Sequence, residues 1–402
     1  MDQFFSAFGA ASKLSPQYDV DGCDRLNSRY SLGLVAIFAL LVGTNQYVGD
    51  PMTCWTPAHF TGQMVQYTDD YCWIKNTYYH PMHEVVPREG EPRDFDVTYY
   101  QWVPLFLMIQ ALLFYIPSGI WHIFNDKTGI NIHNIIVASN TVAQVVPEGR
   151  EKTMKHLVRH IDAYLERQKE HRKGRLNAAR QFMATKMCCV CVGKRAGNFL
   201  LVLYMCCKVL YIINVIGQLF MLNAFLGTKY HLYGFDVLRD LAAGNDWTAS
   251  PVFPRITLCS FKMRVLGNVQ RHTLQCVLPI NLFNEKIYVF IWFWYVFVAT
   301  VTCINFLSWL TRIFHGARMS FIKKHLAWMG RLNEEDDRQL FTRFVDNYLR
   351  PDGFLLLRLI AKNSTEFVTS EIIAGLWDNY KRVYSGGMSL TGNDKEEKES
   401  EA

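Results

Sequence analysis

The sequence predicts an all-α membrane protein, a four-transmembrane-helix bundle with a small disulfide-linked extracellular domain and a helical cytoplasmic domain. Three observations predict it. Four windows of about 20 residues or more are nearly free of charge, the length a helix needs to cross roughly 30 Å of hydrocarbon. Lys and Arg are unevenly shared among the segments between those windows, and four cysteines fall two by two in two of them. Half of the 402 residues are apolar and 14% are aromatic, yet the mean hydropathy is only +0.01. The apolar residues are therefore clumped rather than spread.

Residues 1–29 precede the first window and hold no short apolar core followed by a small-residue cleavage site, so the first span is expected to act as the insertion signal and stay in place. Within them Phe4, Phe5 and Phe8 alternate with Asp2, Gln3 and Ser6. That spacing suits a brief amphipathic helix broken by Gly9 and Pro16, either on the surface or folded back into a central pore. The predicted spans are 30–48, 102–124, 198–226 and 287–314. The third carries one charge, Lys208. An intramembrane charge is a functional candidate by default, but the expectation here is structural, a lysine facing a neighbouring helix or an aqueous cavity. Tryptophan and tyrosine cap two of the spans, as interfacial belts do.

Basic residues near spans stay on the cytoplasmic side. The segment 125–197 carries 14 of them and the tail from residue 312 another 14, whereas 49–101 has 3 against 8 acids. Arg25 and Arg29 also point inward. Segment 227–286 has 7 basic residues and 4 acids; its neighbours place it outside. Both termini and the middle segment are thus expected in the cytoplasm, with 49–101 and 227–286 as extracellular loops. Cys54 and Cys72 lie in the first loop, Cys259 and Cys276 in the second. Two per loop in an oxidising compartment fits two structural disulfides, and four cysteines permit three connectivities.

In the middle segment Met154, Leu157, Val158, Ile161 and Leu165 recur at helical spacing opposite a basic face. His156 and His160 sit on that solvated face without a third ligand. The run CCVC at 188–191 lacks the second pair a zinc site would want, so no metal is expected and S-acylation is the more plausible chemistry for those thiols. Residues 315–384 read as a helical carboxy-terminal domain and 385–402 as a disordered tail. The sequon Asn363-Ser364-Thr365 falls on the cytoplasmic side, and neither outer loop has one. No Walker loop, GxSxG elbow, HExxH or strand-borne GxGxxG is present, so neither an enzyme nor a cofactor is expected.

At the entrance to the second span stands Tyr99-Tyr100-Gln101-Trp102-Val103-Pro104, and this YYQWVP resembles the signature of the innexins, the invertebrate gap-junction proteins of the pannexin/innexin family. VGDPMTCWTPAHFT (48–61), YIP (115–117), GNDW (244–247), FPRITLC (253–259) and QCVLPINLFNEKIYVFIWFW (275–294) extend the resemblance over about residues 24–314. Ser260 departs from it, standing where many innexins have Asp.

The resemblance implies a gap-junction channel subunit forming a wide, weakly selective pore for ions and small metabolites between adjacent cells. It implies a homo-oligomer, taken as an octamer, or a hetero-oligomer with other innexins, docked to the hemichannel of the neighbouring cell. Membrane lipid is the other expected partner, and nucleic acid is not. The alternatives are an undocked hemichannel releasing small molecules such as ATP, or a non-conducting adhesion or scaffold protein. The resemblance further implies disulfides Cys54–Cys276 and Cys72–Cys259. It folds the amino-terminal helix into the pore, making Asp2, Gln3, Phe4 and Phe5 pore-lining candidates, followed by Asn45, Gln46 and Trp55 at the outer end of the first span. Pro104 and Pro117 are hinge candidates, since each removes a backbone donor from a helix. Opposite loop charges, −5 and +3, would help docking loops select partners, with Arg255 and Arg271 as the residues to reverse.

Overall fold

In chain order the elements are α1 (Gly22–Val48), β1 (Thr53–Cys54), α2 (Gly62–Lys75), β2 (Thr77–Tyr79), β3 (Phe95–Val97), α3 (Val103–Asp126), α4 (Ile132–Gln144) and α5 (Pro147–Arg167). They continue with α6 (Phe199–Leu226), β4 (Ile256–Val265), β5 (Asn268–Val277), α7 (Pro279–Ile313), α8 (His315–Trp328), α9 (Arg338–Arg343), α10 (Arg350–Asn363) and α11 (Glu366–Ser400). This is a computed structural model, and it describes residues 19–81, 84–87, 95–144, 147–167, 197–226, 239, 242–243, 253–332 and 337–400.

Helices α1, α3, α6 and α7 are long and apolar enough to cross a membrane. Many of their large apolar side chains face outward: Leu112 on α3, Phe220 on α6 and Leu307 on α7 are each at least 60% exposed. A water-soluble protein would bury such a surface; a bilayer requires it. Two helices begin earlier than hydropathy places them. Helix α1 starts at Gly22 rather than Tyr30, with a π-helical stretch at Leu26–Ser31, and α7 starts at Pro279 rather than Ile287. The added turns are polar but buried: Asp24, Asn27 and Ser28 in α1, Asn281, Asn284 and Glu285 in α7. A hydropathy window discards residues of that kind.

The chain divides into two compact units. The first comprises Asn27–Tyr115 and Ile212–Val301 and contains a five-stranded antiparallel sheet in the order β1-β5-β4-β2-β3. Both loops contribute strands. The fold class therefore gains a sheet that hydropathy does not register. Its centre is the β4–β5 hairpin, paired from Ile256↔Val277 to Val265↔Asn268. Leu266 and Gly267 turn it with φ of +51° and +92°, the pair of positive values that a two-residue turn matching strand twist demands. Among the spans, Gln110 of α3 is fully buried. Its carbonyl accepts from Gln218 of α6 (3.3 Å) and its side-chain oxygen from Tyr295 of α7 (3.4 Å), the kind of polar bond that joins helices in lipid.

The second unit comprises Met1–Leu26, Ile116–Tyr211 and Thr302–Ala402. Its core takes Leu157, Val158, Ile161 and Leu165 from α5, Leu355, Leu356, Leu359 and Ile360 from α10, and Val368, Ile372, Leu376 and Trp377 from α11. His156 and His160 lie exposed on the other face of α5. Asp352 caps the start of α6: its Oδ1 accepts the Leu201 N–H (3.0 Å), while its own N–H donates to the Gly197 carbonyl (3.0 Å). Gly197 has φ +71°, and a Cβ there would lie 2.5 Å from Arg350 Cδ, so only glycine fits this approach. Helix α11 continues to Ser400, past Ser385, where composition predicts a disordered tail.

Candidate functional site

In the first unit the two loops are joined covalently by Cys54–Cys276 and Cys72–Cys259. Cys54 and Cys276 face each other across the β1–β5 pair. Cys72 comes from α2 and Cys259 from β4, so one bridge fastens strand to strand and the other helix to sheet. All four are buried. The backbone N–H of Cys54 donates to Asp69 Oδ1 at 2.9 Å. Burial raises the Asp69 carboxyl above its ordinary value, with Asp70 and Asp50 adding to the shift and the Cys54 bond opposing it. Ser260 links the Tyr78 hydroxyl (2.9 Å) to the Thr273 hydroxyl (3.0 Å) across three strands. An uncharged hydroxyl suits that chain, since it donates and accepts at once.

The YYQWVP residues tie this loop domain to the start of α3. Tyr100 is fully buried, packs its ring at a tilt against Trp73 with centroids 4.7 Å apart, and donates its hydroxyl to the Trp73 carbonyl (3.1 Å). Gln101 donates its amide to the same carbonyl and to Asn76 Oδ1 (3.2 Å). Asn76 is held at φ +72° and ψ 162°, a strained conformation normally confined to glycine. Tyr99 packs edge-on to Phe253 at 5.7 Å. Val103 is buried and Trp102 exposed. Pro104 stands in the first turn of α3, where its missing N–H has no intrahelical partner to lose. Pro117 lies inside α3, which continues through it.

Of the pore-lining candidates, Asp2, Gln3, Phe4 and Phe5 lie outside the described residues. Asn45 is exposed and Trp55 is 83% exposed. Gln46 is buried, and its amide donates to the Gln101 carbonyl (3.1 Å). It is turned about 100° around the helix from its exposed neighbour Asn45. Arg255 is similarly engaged, donating at 3.0 Å to Glu285, which Lys286 also approaches at 3.4 Å. Arg271 is exposed beside Lys262, its direct cross-strand partner.

The second unit holds a polar cluster that sequence reasoning found only in part. Lys208 of α6 is buried, and its ammonium donates to Asp24 Oδ1 (2.7 Å) and Asn305 Oδ1 (2.8 Å), with Asp21 Oδ2 at 3.5 Å. Asp24 also accepts from the Tyr204 hydroxyl (2.9 Å). Asp21 accepts from Asn305 (2.9 Å), Trp309 Nε1 (2.9 Å) and Lys362 Nζ (2.6 Å). Burial alone would raise the Asp21 carboxyl; Lys208 and Lys362, with the hydrogen bonds from Lys362 and Trp309, overcome it and hold the group well below the usual carboxylate range. Asp19 accepts from Trp121 Nε1 (3.0 Å), with His122 Nδ1 at 3.3 Å. Three acids at the start of the described chain are thus fastened to α3, α6, α7 and α10. Their sequence signal is the DVDGCD run, whose alternate acids precede an apolar helix.

The pattern of the family described as Innexin matches residues 20–380. The chain is 37% identical to Innexin unc-9 of Caenorhabditis elegans, over 96% of this chain and 99% of that one. It is 39% identical to Innexin-3 of the same organism, over 90% and 83% of the two chains, and 35% identical to Innexin-11, over 92% and 81%.

Proposed function

The chain belongs to the innexin family, whose members are gap-junction channel subunits, and we propose that it forms an eight-membered ring, with both termini and segment 125–197 in the cytoplasm, that docks through its two loops to a matching ring in the next cell. The observation that carries this reading is the sheet built from both loops and braced by Cys54–Cys276 and Cys72–Cys259. Two loops fused into one covalently braced sheet have little conformational freedom left to lose on docking, which lowers the cost of association. The β4–β5 hairpin is the docking element: its tip exposes Leu266 fully, and Lys262, Arg264 and Arg271 stand exposed on its strands.

The amino-terminal segment lines the pore entrance in this reading, with Asn45 and Trp55 following at the outer end of α1. The Asp19, Asp21 and Asp24 anchors set where that segment leaves the bundle. Pro117 is the hinge candidate retained, because an interior proline costs the helix a hydrogen bond and Pro104 does not. The orientation is tested by labelling intact cells with a membrane-impermeant reagent: tags after residue 266 must react, and tags after residues 167 and 332 must react only after permeabilisation. Imaging of purified single particles counts the subunits, and any number other than eight rejects the octameric ring.

A further inference from the structure

Where α1 gives way to the first loop, the chain forms a cavity of about 580 Å³, a volume within the range of small-molecule sites. Gln46 of α1, Asp50 in the link to β1, and Val65, Asp69, Asp70 and Trp73 of α2 line it. Gln46 is only 6% exposed. Its amide nitrogen is committed to the Gln101 carbonyl at 3.1 Å, whereas its Oε1 is buried and accepts no hydrogen bond. A buried acceptor left unmade is costly, and a donor inside the cavity would satisfy it. Asp69 gives one carboxylate oxygen to the Cys54 N–H (2.9 Å). Asp50 and Asp70 are exposed, and among the described residues no lysine, arginine or histidine makes an ion pair with any of the three acids. Burial first, and then the charges of Asp70 and Asp50, raise the Asp69 carboxyl against the pull of the Cys54 bond. The cavity is short of positive charge.

A single metal ion needs its ligand oxygens to converge on one point. These three carboxylates do not. Among the described residues, the group of three acids, histidines or cysteines whose ligand atoms lie within 4.8 Å of one another is Cys54, Cys72 and Cys276, and the disulfides use those. Negative charges distributed around a cavity, rather than gathered at a point, suit a cation that is itself extended. Each ammonium group brings three donors, so one can reach Gln46 Oε1 while others meet the carboxylates. Trp73 offers a ring face to a cation, and Val65 an apolar surface to the methylenes between charges. We propose that this cavity binds a linear aliphatic polyamine, with Gln46, Asp50, Asp69 and Asp70 as its acceptors. Bound there, the polyamine links the end of α1 to α2 of the first loop.

The test is titration calorimetry of the full chain in detergent with spermidine, a linear triamine. The readout is binding, so it stands apart from any junctional role. Wild type is expected to bind spermidine, and D50N/D70N, which removes two exposed charges, should bind it about tenfold or more weakly. E84Q/D96N, which removes two exposed acids of the same loop outside the cavity, should bind as wild type does. Butylamine, with one ammonium, should bind at least about tenfold more weakly than spermidine. Q46M removes the unpartnered oxygen at constant charge and should weaken binding about threefold or more. No binding by wild type, undiminished binding by D50N/D70N, or an equal loss in E84Q/D96N overturns the site. Butylamine matching spermidine, or calcium chloride binding where spermidine does not, overturns the polyamine as its occupant. Full-strength binding by Q46M overturns the role given to Gln46. Should Q46M not fold, D50N/D70N and butylamine decide alone.

Discussion

Replacing Lys208 by Met removes a buried cation that two acids of the amino-terminal turn share. The lost contacts are the bonds to Asp24 (2.7 Å) and Asn305 (2.8 Å) and the approach to Asp21 (3.5 Å). Asp21 keeps Lys362, Trp309 and Asn305, whereas the donors that Asp24 keeps include the Tyr204 hydroxyl and the Asp21 N–H, both neutral. Lys208 is 1% exposed and Asp24 2%, so water cannot replace the missing charge. Removing one partner of a buried pair costs about 3–5 kcal/mol, whereas replacing both with neutral groups is often close to neutral. Lys208→Met is therefore expected to lower the melting midpoint of the detergent-solubilised protein by about 10 °C, at about 2–4 °C per kcal/mol. Lys208→Met combined with Asp24→Asn should recover much of that loss. The cycle should show a coupling of about 2 kcal/mol. A single-variant cost below about 1 kcal/mol, or single effects that add within about 0.5 kcal/mol, would refute the buried-pair reasoning.

Three further perturbations follow from the geometry. Cys54→Ser with Cys276→Ser should cost about 2–5 kcal/mol in non-reducing melts, and a midpoint unchanged from wild type would mean that the bridge does not brace the sheet. Gln101→Leu takes one of two side-chain donors, the other being the Tyr100 hydroxyl, from the Trp73 carbonyl and should cost about 1–3 kcal/mol; unaltered stability and an unaltered tryptic pattern around residue 75 would count against the signature as a fastener. For Asp352, burial raises the carboxyl from 3.8 to about 6, against the opposing bonds from the Leu201, Leu200 and Phe199 N–H groups. Because the folded value lies above the unfolded one, its contribution is fully present below about pH 3.8 and is lost as pH rises through about 6. Lowering the pH from 7.5 to 5 should thus shift the stability difference between wild type and Asp352→Asn in favour of wild type, by about 1–2 kcal/mol. Melts of the two proteins at both values check this, and a difference independent of pH rejects it.

What could be read from the sequence was what depends on long apolar runs and cysteine placement. Four spans stand out because a run of some 20 uncharged, mostly apolar residues rarely occurs outside a membrane-crossing helix, and the face of α5 shows its 3.6-residue period in Leu157, Val158, Ile161 and Leu165. The sheet left no such trace. Strand β5, NVQRHTLQCV, is mostly polar, and its hairpin turns on Leu266-Gly267 rather than the Asn-Gly or Asp-Gly that normally announces such a turn. The burial of Gln46 was illegible because a sequence does not show which side of an apolar helix meets a neighbour. Lys208 stands out as a charge, but its partners Asp24 and Asn305 lie 184 and 97 residues away. Pairing over such distances is a property of the fold, and no local pattern encodes it.

Whether this subunit joins cells is tested most directly by junctional conductance between two voltage-clamped cells that both express the full chain. Conductance is expected only when both cells express the protein, and it should disappear in the Cys54→Ser, Cys276→Ser variant while surface expression is maintained. No junctional conductance from wild-type protein present at the contact would contradict a junctional role, and dye uptake by single cells in that case would assign the chain to an undocked channel instead.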